Sequence, residues 1–325
     1  MTMQNAIAGF SSLLGIGILI LDSKTAFLGA VEGLALCFQT VIPSLFPFFL
    51  FSILLTDSFI GIPSGILRPI GKQFRFPSGA ESFAIAAFLG GYPVGAQCIA
   101  LAFHNRQITK PDAERMLAYC SNAGPSFLFG IVGNMFSNQR TIWLLWGIHI
   151  LCVWMTAQLF PDPASCTSVT MKKSNPSNAM NTAVKTMASV CGWIILFRVI
   201  ITFLNRWFFW ALDVPLQVAF SGFLELSNGS CSLMQIENEK LRFVICSGML
   251  SFGGICVALQ TASVCRGLSL RYYFFGKTLQ CVLSLALSLG FVLGLGWTIP
   301  IAVVTMGLFC RKTKITGSNP KKAVV

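Results

Sequence analysis

Long apolar runs separated by short polar stretches recur along the whole chain at a spacing that suits a lipid bilayer. About 17–25 apolar residues cross a hydrocarbon core of about 30 Å, and five runs reach that length: 5–21, 41–60, 141–160, 186–204 and 279–298. Four further runs are apolar but interrupted: 81–104 at "GGYPVG", 113–136 at "SNAGPS", 214–236 at "LELSNG" and 243–265 at "SFGG". The stretch 26–60 is too long for one upright helix. Its first part, with Glu32 and Gln39, is expected to lie at the interface, and Pro43 and Pro47 to bend the helix that carries them.

The order of these pieces predicts an internal repeat. Span, interrupted segment, short polar loop, interrupted segment and span occur once before the polar stretch 161–182 and again after it. Aligning "GYPVGAQCI" with "LSNGSCSLM" sets Gly95 against Gly229, and aligning "YCSNAGPSF" with "LSFGGICVA" sets Ser121 near Ser251.

Charge tests the repeat independently. With 81–104 read as a re-entrant hairpin, one face receives Arg68, Lys72, Arg75, Arg106, Lys110, Arg115, Lys172, Lys173, Lys185, Arg266, Arg271 and Lys277. The other receives Lys24, Arg140, Arg206, Lys240 and Arg242. Such a bias marks the richer face as cytoplasmic. The second hairpin, 214–236, then enters from the opposite face, so the two halves are inverted.

The expected fold is an all-α polytopic membrane protein built from two inverted repeats, each with a re-entrant hairpin and a broken transmembrane helix. The first repeat covers 1–160 and includes an extra N-terminal span. A cytoplasmic linker, 161–182, precedes the second repeat, 183–310, and a basic tail, 311–325. The apolar stretch 273–310 has room for two tilted spans turning near 294–297, which would return the tail to the cytoplasm.

Composition agrees with a membrane class. Of 325 residues, 54% are hydrophobic and only 10% charged, against roughly 25% charged in an ordinary soluble domain. Residues 1–21 lack the basic n-region and cleavage site of a signal peptide and are read as a retained span. The net charge of +12 sits in short clusters between apolar runs, which suits membrane topology and disfavours nucleic acid. Twelve scattered cysteines form no CxxC pair, and the two histidines, His104 and His149, have no ligand-like spacing, so neither a metal nor another cofactor is expected. No GxxxxGK[ST], GxSxG or HExxH motif occurs, so no enzymatic or ATP-driven function is expected.

Irregular backbone at membrane depth survives only where it is buried in protein or lines a cavity. Inverted repeats with broken helices near the midplane are the architecture of secondary transporters. The candidate substrate-binding residues are therefore the polar and small ones at the breaks: Tyr92, Gly95, Gln97, Ser121, Asn122 and Ser126 in the first half, and Glu225, Ser227, Asn228, Ser251 and Gln260 in the second, with Thr261 beside them. Pro125 after Gly124 suits the first turn of a new half-helix, and free N–H groups at such starts favour an anionic ligand group.

Glu225 is the sharpest single residue, because a carboxylate in an uncharged membrane segment is costly and by default functional. It is read as a proton or cation coupling site or a ligand contact, the structural alternative being an ion pair with Arg198 or Arg206. "ITKPDAERML" reads as a helix start capped by Thr109, with its charges on a solvated face.

At these residues the chain resembles a known family. "GGYPVGAQ", "CSNAGPSFLFGIVG", "GFLELSNG" and "SFGGICVALQT" together are similar to the YlbJ-type sporulation integral membrane proteins, within the nucleoside-recognition or Gate-domain group, and the likeness runs over about 41–280. The resemblance implies a bacterial cell-membrane protein related in architecture to concentrative nucleoside transporters. It also implies movement of dipicolinic acid, a small heteroaromatic dianion, during spore formation. The family pattern falls on Gly91, Tyr92, Pro93, Gly95, Ser121, Gly124, Pro125, Glu225, Gly229, Ser251, Gly253 and Gln260. The expected partners are the lipid bilayer, a small solute and H+ or Na+ as coupling ion. The competing readings are a nucleoside permease and a non-transporting sporulation scaffold or sensor.

Overall fold

The computed structural model describes residues 3–58, 67–78, 80–81, 86–161 and 176–296. Among these residues the chain is helical and contains no strand. Most of the linker, the second half of the 273–310 stretch and the basic tail lie outside the described residues.

The first helices are α1 (Met3–Leu21), α2 (Ser23–Leu36) and α3 (Ile42–Ser58). Asp22 caps α2 by accepting a hydrogen bond from the Thr25 backbone N–H at 3.3 Å. A wide π turn at Cys37–Val41 joins α2 to α3. Pro43 has no N–H for the carbonyl four residues back, and its ring crowds that carbonyl, so a looser turn forms just before it. Pro47 lies within α3.

The expected interfacial placement of 26–40 is not what the structure shows. Ser23–Leu55 forms one continuous apolar helical unit, and α2 packs lengthwise on the long helix α9 (Pro176–Trp207). The contact is close because Gly29 and Gly33 let the backbones meet. A Cβ added at either glycine would lie within 3.0 Å of a backbone Cα of α9, that of Val199 or of Ile195. Such small-xxx-small spacing is how membrane helices approach one another without a hydrophobic driving force. The polar groups pair along the same seam, Arg206 with Asp22 at 3.3 Å and Arg198 with Glu32 at 2.8 Å.

A short helix α4 (Arg68–Gln73) is tied to Glu81 by a 2.6 Å ion pair from Arg68. A π turn at Ala86–Gly90 leads to the interruption at 91–93, after which α5 (Val94–His104) begins. The helical path continues as α6 (Lys110–Cys120), breaks at 121–124, restarts as α7 (Pro125–Gly130) with proline in its first turn, and reaches α8 (Gln139–Gln158). After α9 come α10 (Val214–Leu224), a break at Glu225 and α11 (Leu226–Ser232). The chain ends its described part with α12 (Glu239–Phe252), a break at Gly253, α13 (Gly254–Val264) and α14 (Arg271–Val292). All four interruptions read from the sequence are therefore breaks in helices.

Among the described residues, five units are long and apolar enough to cross a membrane: Ser23–Leu55, Gln139–Gln158, Asn178–Trp207, Glu239–Val264 and Arg271–Val292. The protein is a multi-pass integral membrane protein. Helix α1 forms where the first span is expected, but its apolar part, Gly9–Leu21, is a shorter helix outside those five. Helix α14 stops at Val292, and Gly294 follows with φ of +79°, so the helix ends just before the expected turn, whose second span lies outside the described residues.

Around the breaks, neighbours recur in the two halves. The break at 91–93 meets the break between α6 and α7, with Gly91 against Gly124. The break at Glu225 meets that between α12 and α13, with Gly254 against Gly222 and the backbone at 224 and 226. Helix α14 packs on α6 and α12, helix α8 on α12 and α6, and α3 and α9 close the assembly on α7 and α13.

One expectation about charge fails. The face of α6 is not solvated: Asp112 and Arg115 are both buried and form an ion pair at 3.0 Å. Arg115 also donates to the carbonyls of Pro161 and Arg75, and Arg75 to that of Phe160. On α12, Arg242 likewise donates to the carbonyls of Ile236 and Met135. These arginines satisfy loop carbonyls at helix ends and keep their meaning for topology. Lys277, counted as a loop residue, does not: it lies within α14 and is 1% exposed.

Candidate functional site

Three of the breaks, at 91–93, 121–124 and Glu225, open onto one cavity, and α13, which follows the fourth, also lines it. The first half supplies Gly90, Gly91, Tyr92, Gly124 and Ser126, and the second supplies Glu225, Leu226, Ser227, Val257 and Gln260. Leu45 and Phe49 of α3 and Val190 and Ile194 of α9 form apolar walls. Of the sequence-derived candidates, Tyr92, Ser126, Glu225, Ser227 and Gln260 face this space.

Glu225 is the structural centre of the second break. It is 2% exposed and caps α11, accepting from Ser227 N at 3.0 Å, Asn228 N at 2.7 Å and Asn228 Nδ2 at 2.7 Å. The buried carboxylate is stable there because charge-assisted bonds replace its hydration and because the helix start favours negative charge. This revises one expectation: the N–H groups at the start of α11 are already taken by the protein's own anion. At α7 the cap residue is Gly124, which offers no side-chain bond.

Neither arginine pairs with Glu225 directly. Arg206 is held by Asp22, and Arg198 by Glu32. Arg198 does donate to Asn228 Oδ1 at 3.3 Å, so Asn228 relays between the guanidinium and the carboxylate. Asn228 thus sits behind the cavity wall and positions Glu225.

The remaining candidates are structural neighbours of the cavity. Gln97 accepts from Thr186 Oγ1 at 3.2 Å and so ties α5 to α9. Gly95 is buried in the first turn of α5. Asn122, fully buried, donates to the Tyr119 carbonyl at 2.7 Å. Ser251 pairs with His149 Nδ1 at 3.3 Å, linking α12 to α8. The Ser121 hydroxyl is buried without a hydrogen-bond partner among the described residues. Gln260 donates to Cys256 Sγ at 3.3 Å.

The group that sequence reasoning missed is Lys277. Its Nζ donates to Tyr92 Oη at 3.0 Å, Gln280 Oε1 at 3.0 Å and Asn122 Oδ1 at 3.3 Å. It also stands 5.1 Å from the centre of the Tyr92 ring. No carboxylate pairs with it among the described residues. Gln280 is held in turn by donating to the Ala118 carbonyl at 2.9 Å. Tyr92 therefore has the cavity on one side and a buried cation on the other. Its hydroxyl also reaches Gly253, where an added Cβ would lie 2.6 Å from Oη.

Comparison with known proteins finds a relative of the chain. It is 26% identical over 312 residues to "Sporulation integral membrane protein YlbJ" of Bacillus subtilis (strain 168), covering 80% of this chain and 76% of that protein. No family model matches the chain. No solved structure matches it significantly.

Proposed function

We propose, from the premise that the chain is a YlbJ-type bacterial integral membrane protein, that it is a secondary transporter whose solute binds between two inverted repeats. One observation carries the reading. Three helix breaks, at 91–93, 121–124 and Glu225, together with α13 after the fourth, line a single cavity whose wall holds the buried carboxylate of Glu225. Such breaks cost backbone hydrogen bonds at membrane depth and are retained where they line a site.

The matching neighbours around the two sets of breaks support the repeat. In each half a hairpin break abuts a broken helix through glycine, Gly91 with Gly124 and Gly222 with Gly254. The opposite entry of the two hairpins rests on the distribution of Lys and Arg, which still favours one face after Lys277 is removed from the count.

The solute class we assign is a small anionic or heteroaromatic molecule, with dipicolinate as the test case. Phe49 and Ile194 present apolar surface to an aromatic ring, and Ser126 and Gln260 offer polar contacts. Glu225 acts as the coupling group or as a direct ligand contact. Its Oε2 accepts two hydrogen bonds and its Oε1 only one. That spare capacity also favours a second reading, a nucleoside permease, in which Oε1 accepts from a ribose hydroxyl.

Uptake of labelled dipicolinate and of nucleosides into proteoliposomes, comparing wild type with Glu225→Gln, tests the assignment. Transport of dipicolinate lost in Glu225→Gln is the expected result. Movement of nucleosides alone selects the permease, and movement of neither solute removes the transport reading in favour of a scaffold or sensor.

A further inference from the structure

We propose that Lys277 is a built-in monovalent cation, so that the protein works without bound Na+. The inference rests on the transport reading above for its functional meaning, but the site it describes stands on geometry.

An ammonium group has three N–H donors and no acceptor, and Lys277 faces three side-chain oxygens at 3.0, 3.0 and 3.3 Å. A neutral amine would bring only two donors, and its third contact would need the Tyr92 hydroxyl proton, which is donated to the Leu250 carbonyl at 3.5 Å. The ring of Tyr92, 5.1 Å away, adds the negative face of an aromatic quadrupole. The group is 1% exposed, so the oxygens take over the role of hydration.

The origin of those oxygens gives the site its meaning. Tyr92 comes from the first hairpin's break, Asn122 from the break between α6 and α7, and Gln280 from α14. These are neutral oxygen ligands converging from separate elements at interrupted helices, the kind of arrangement in which broken-helix transporters hold a small cation. Here the charge is delivered by α14 and cannot leave. The group that fastens the hairpin to the bundle is therefore part of the chain, and an external Na+ has no place left at that point.

The test compares wild type with Lys277→Ala and Lys277→Gln, in liposome flux and in thermal melting of the purified protein. Each measurement is made in NaCl, in choline chloride and in ethylammonium chloride. Wild-type flux and melting are expected to be the same in NaCl and choline. In choline, Lys277→Ala should lose about tenfold or more in flux, the scale of one charge-assisted hydrogen bond, and should melt earlier. NaCl or ethylammonium should restore both, because either cation can enter the vacated space. Lys277→Gln fills that space without charge and should not respond.

Wild-type flux or melting that requires Na+ overturns the inference, as does Lys277→Ala indifferent to every small cation. If wild type moves no tested solute, the transport reading has failed, and the melting series alone then decides whether Lys277 occupies a cation site. Should Lys277→Ala not fold, wild-type melting still decides the matter: equal melting in NaCl and choline supports the inference, and melting that depends on Na+ overturns it.

Discussion

Replacing Gly253 by alanine should be among the most damaging single-methyl additions in the molecule. Two separate costs arise. The backbone at Gly253 has φ of +86° and ψ of −14°, a left-handed conformation that costs an L-residue about 1–2 kcal/mol. The new Cβ would also lie 2.6 Å from Tyr92 Oη and 2.8 Å from Cζ. Tyr92 must then move, and its hydroxyl leaves Lys277 Nζ, at present 3.0 Å away. A hydrogen bond to a charged group contributes about 1.5–3 kcal/mol, so the expected total is about 3–5 kcal/mol. Reversible unfolding in mixed micelles, followed by tryptophan fluorescence, measures it. The decisive comparison is a double-mutant cycle with Tyr92→Ala. Without the tyrosine the clash disappears, and Gly253→Ala should cost only the backbone share, about 1–2 kcal/mol. Gly254, with φ of +88°, provides the control, because its added Cβ meets backbone and not Tyr92. Its alanine variant should cost the same in both backgrounds. Additive costs for Gly253→Ala and Tyr92→Ala would refute the argument that Tyr92 is braced against this break.

Three further outcomes are expected. Glu225→Ala strands the N–H groups of Ser227 and Asn228 and the Asn228 amide, and should lower unfolding free energy by about 2–4 kcal/mol in the same assay, with Glu225→Gln recovering part. Gly29→Ala should destabilise by about 1–3 kcal/mol through overpacking against α9, whereas Gly192→Ala, where an added Cβ meets nothing within 4 Å, should be neutral or stabilise by up to about 1 kcal/mol; equal effects would argue against the close α2–α9 seam. Cysteines placed at Lys173 and Glu239 in a cysteine-free background should label from opposite faces of the membrane, and labelling from one face would sink the inverted arrangement.

How far the sequence could be read depended on whether a feature was local. The four breaks were legible because their chemistry is local: Pro125 lacks an N–H, while Gly91 and Gly253 take φ of +69° and +86°. That three of them line one cavity was also foreseeable once they were seen in pairs. Which polar side chains face that cavity was not, since residue type locates Asn122 or Ser251 at a break without giving its direction. Asp112 and Arg115 failed for a related reason. A carboxylate and a guanidinium three residues apart look alike whether solvated or pressed against the carbonyls of a distant loop such as that at Pro161.

Lys277 is the instructive omission, because a signal was present. Tyr273, Lys277, Gln280, Ser284 and Ser288 are spaced by three or four residues, so they share one face of α14, and all five are buried. Charge counting treats a lysine between apolar runs as a loop residue and discards that periodicity. A polar stripe inside an apolar helix carries the opposite implication, since polar atoms at membrane depth must meet one another. Ser284 and Ser247 do so at 2.5 Å, and Lys277 does so with Tyr92, Asn122 and Gln280. The stripe thereby fixes how α14 faces α6 and α12, and with it the position of Tyr92 between the two sets of breaks. A displacement of the break at 91–93 must therefore disturb either the Lys277 contacts or the fit of Tyr92 against Gly253. Tyr92 is thereby one link between the two halves of the chain, beside those of His149 with Ser251 and Gln97 with Thr186.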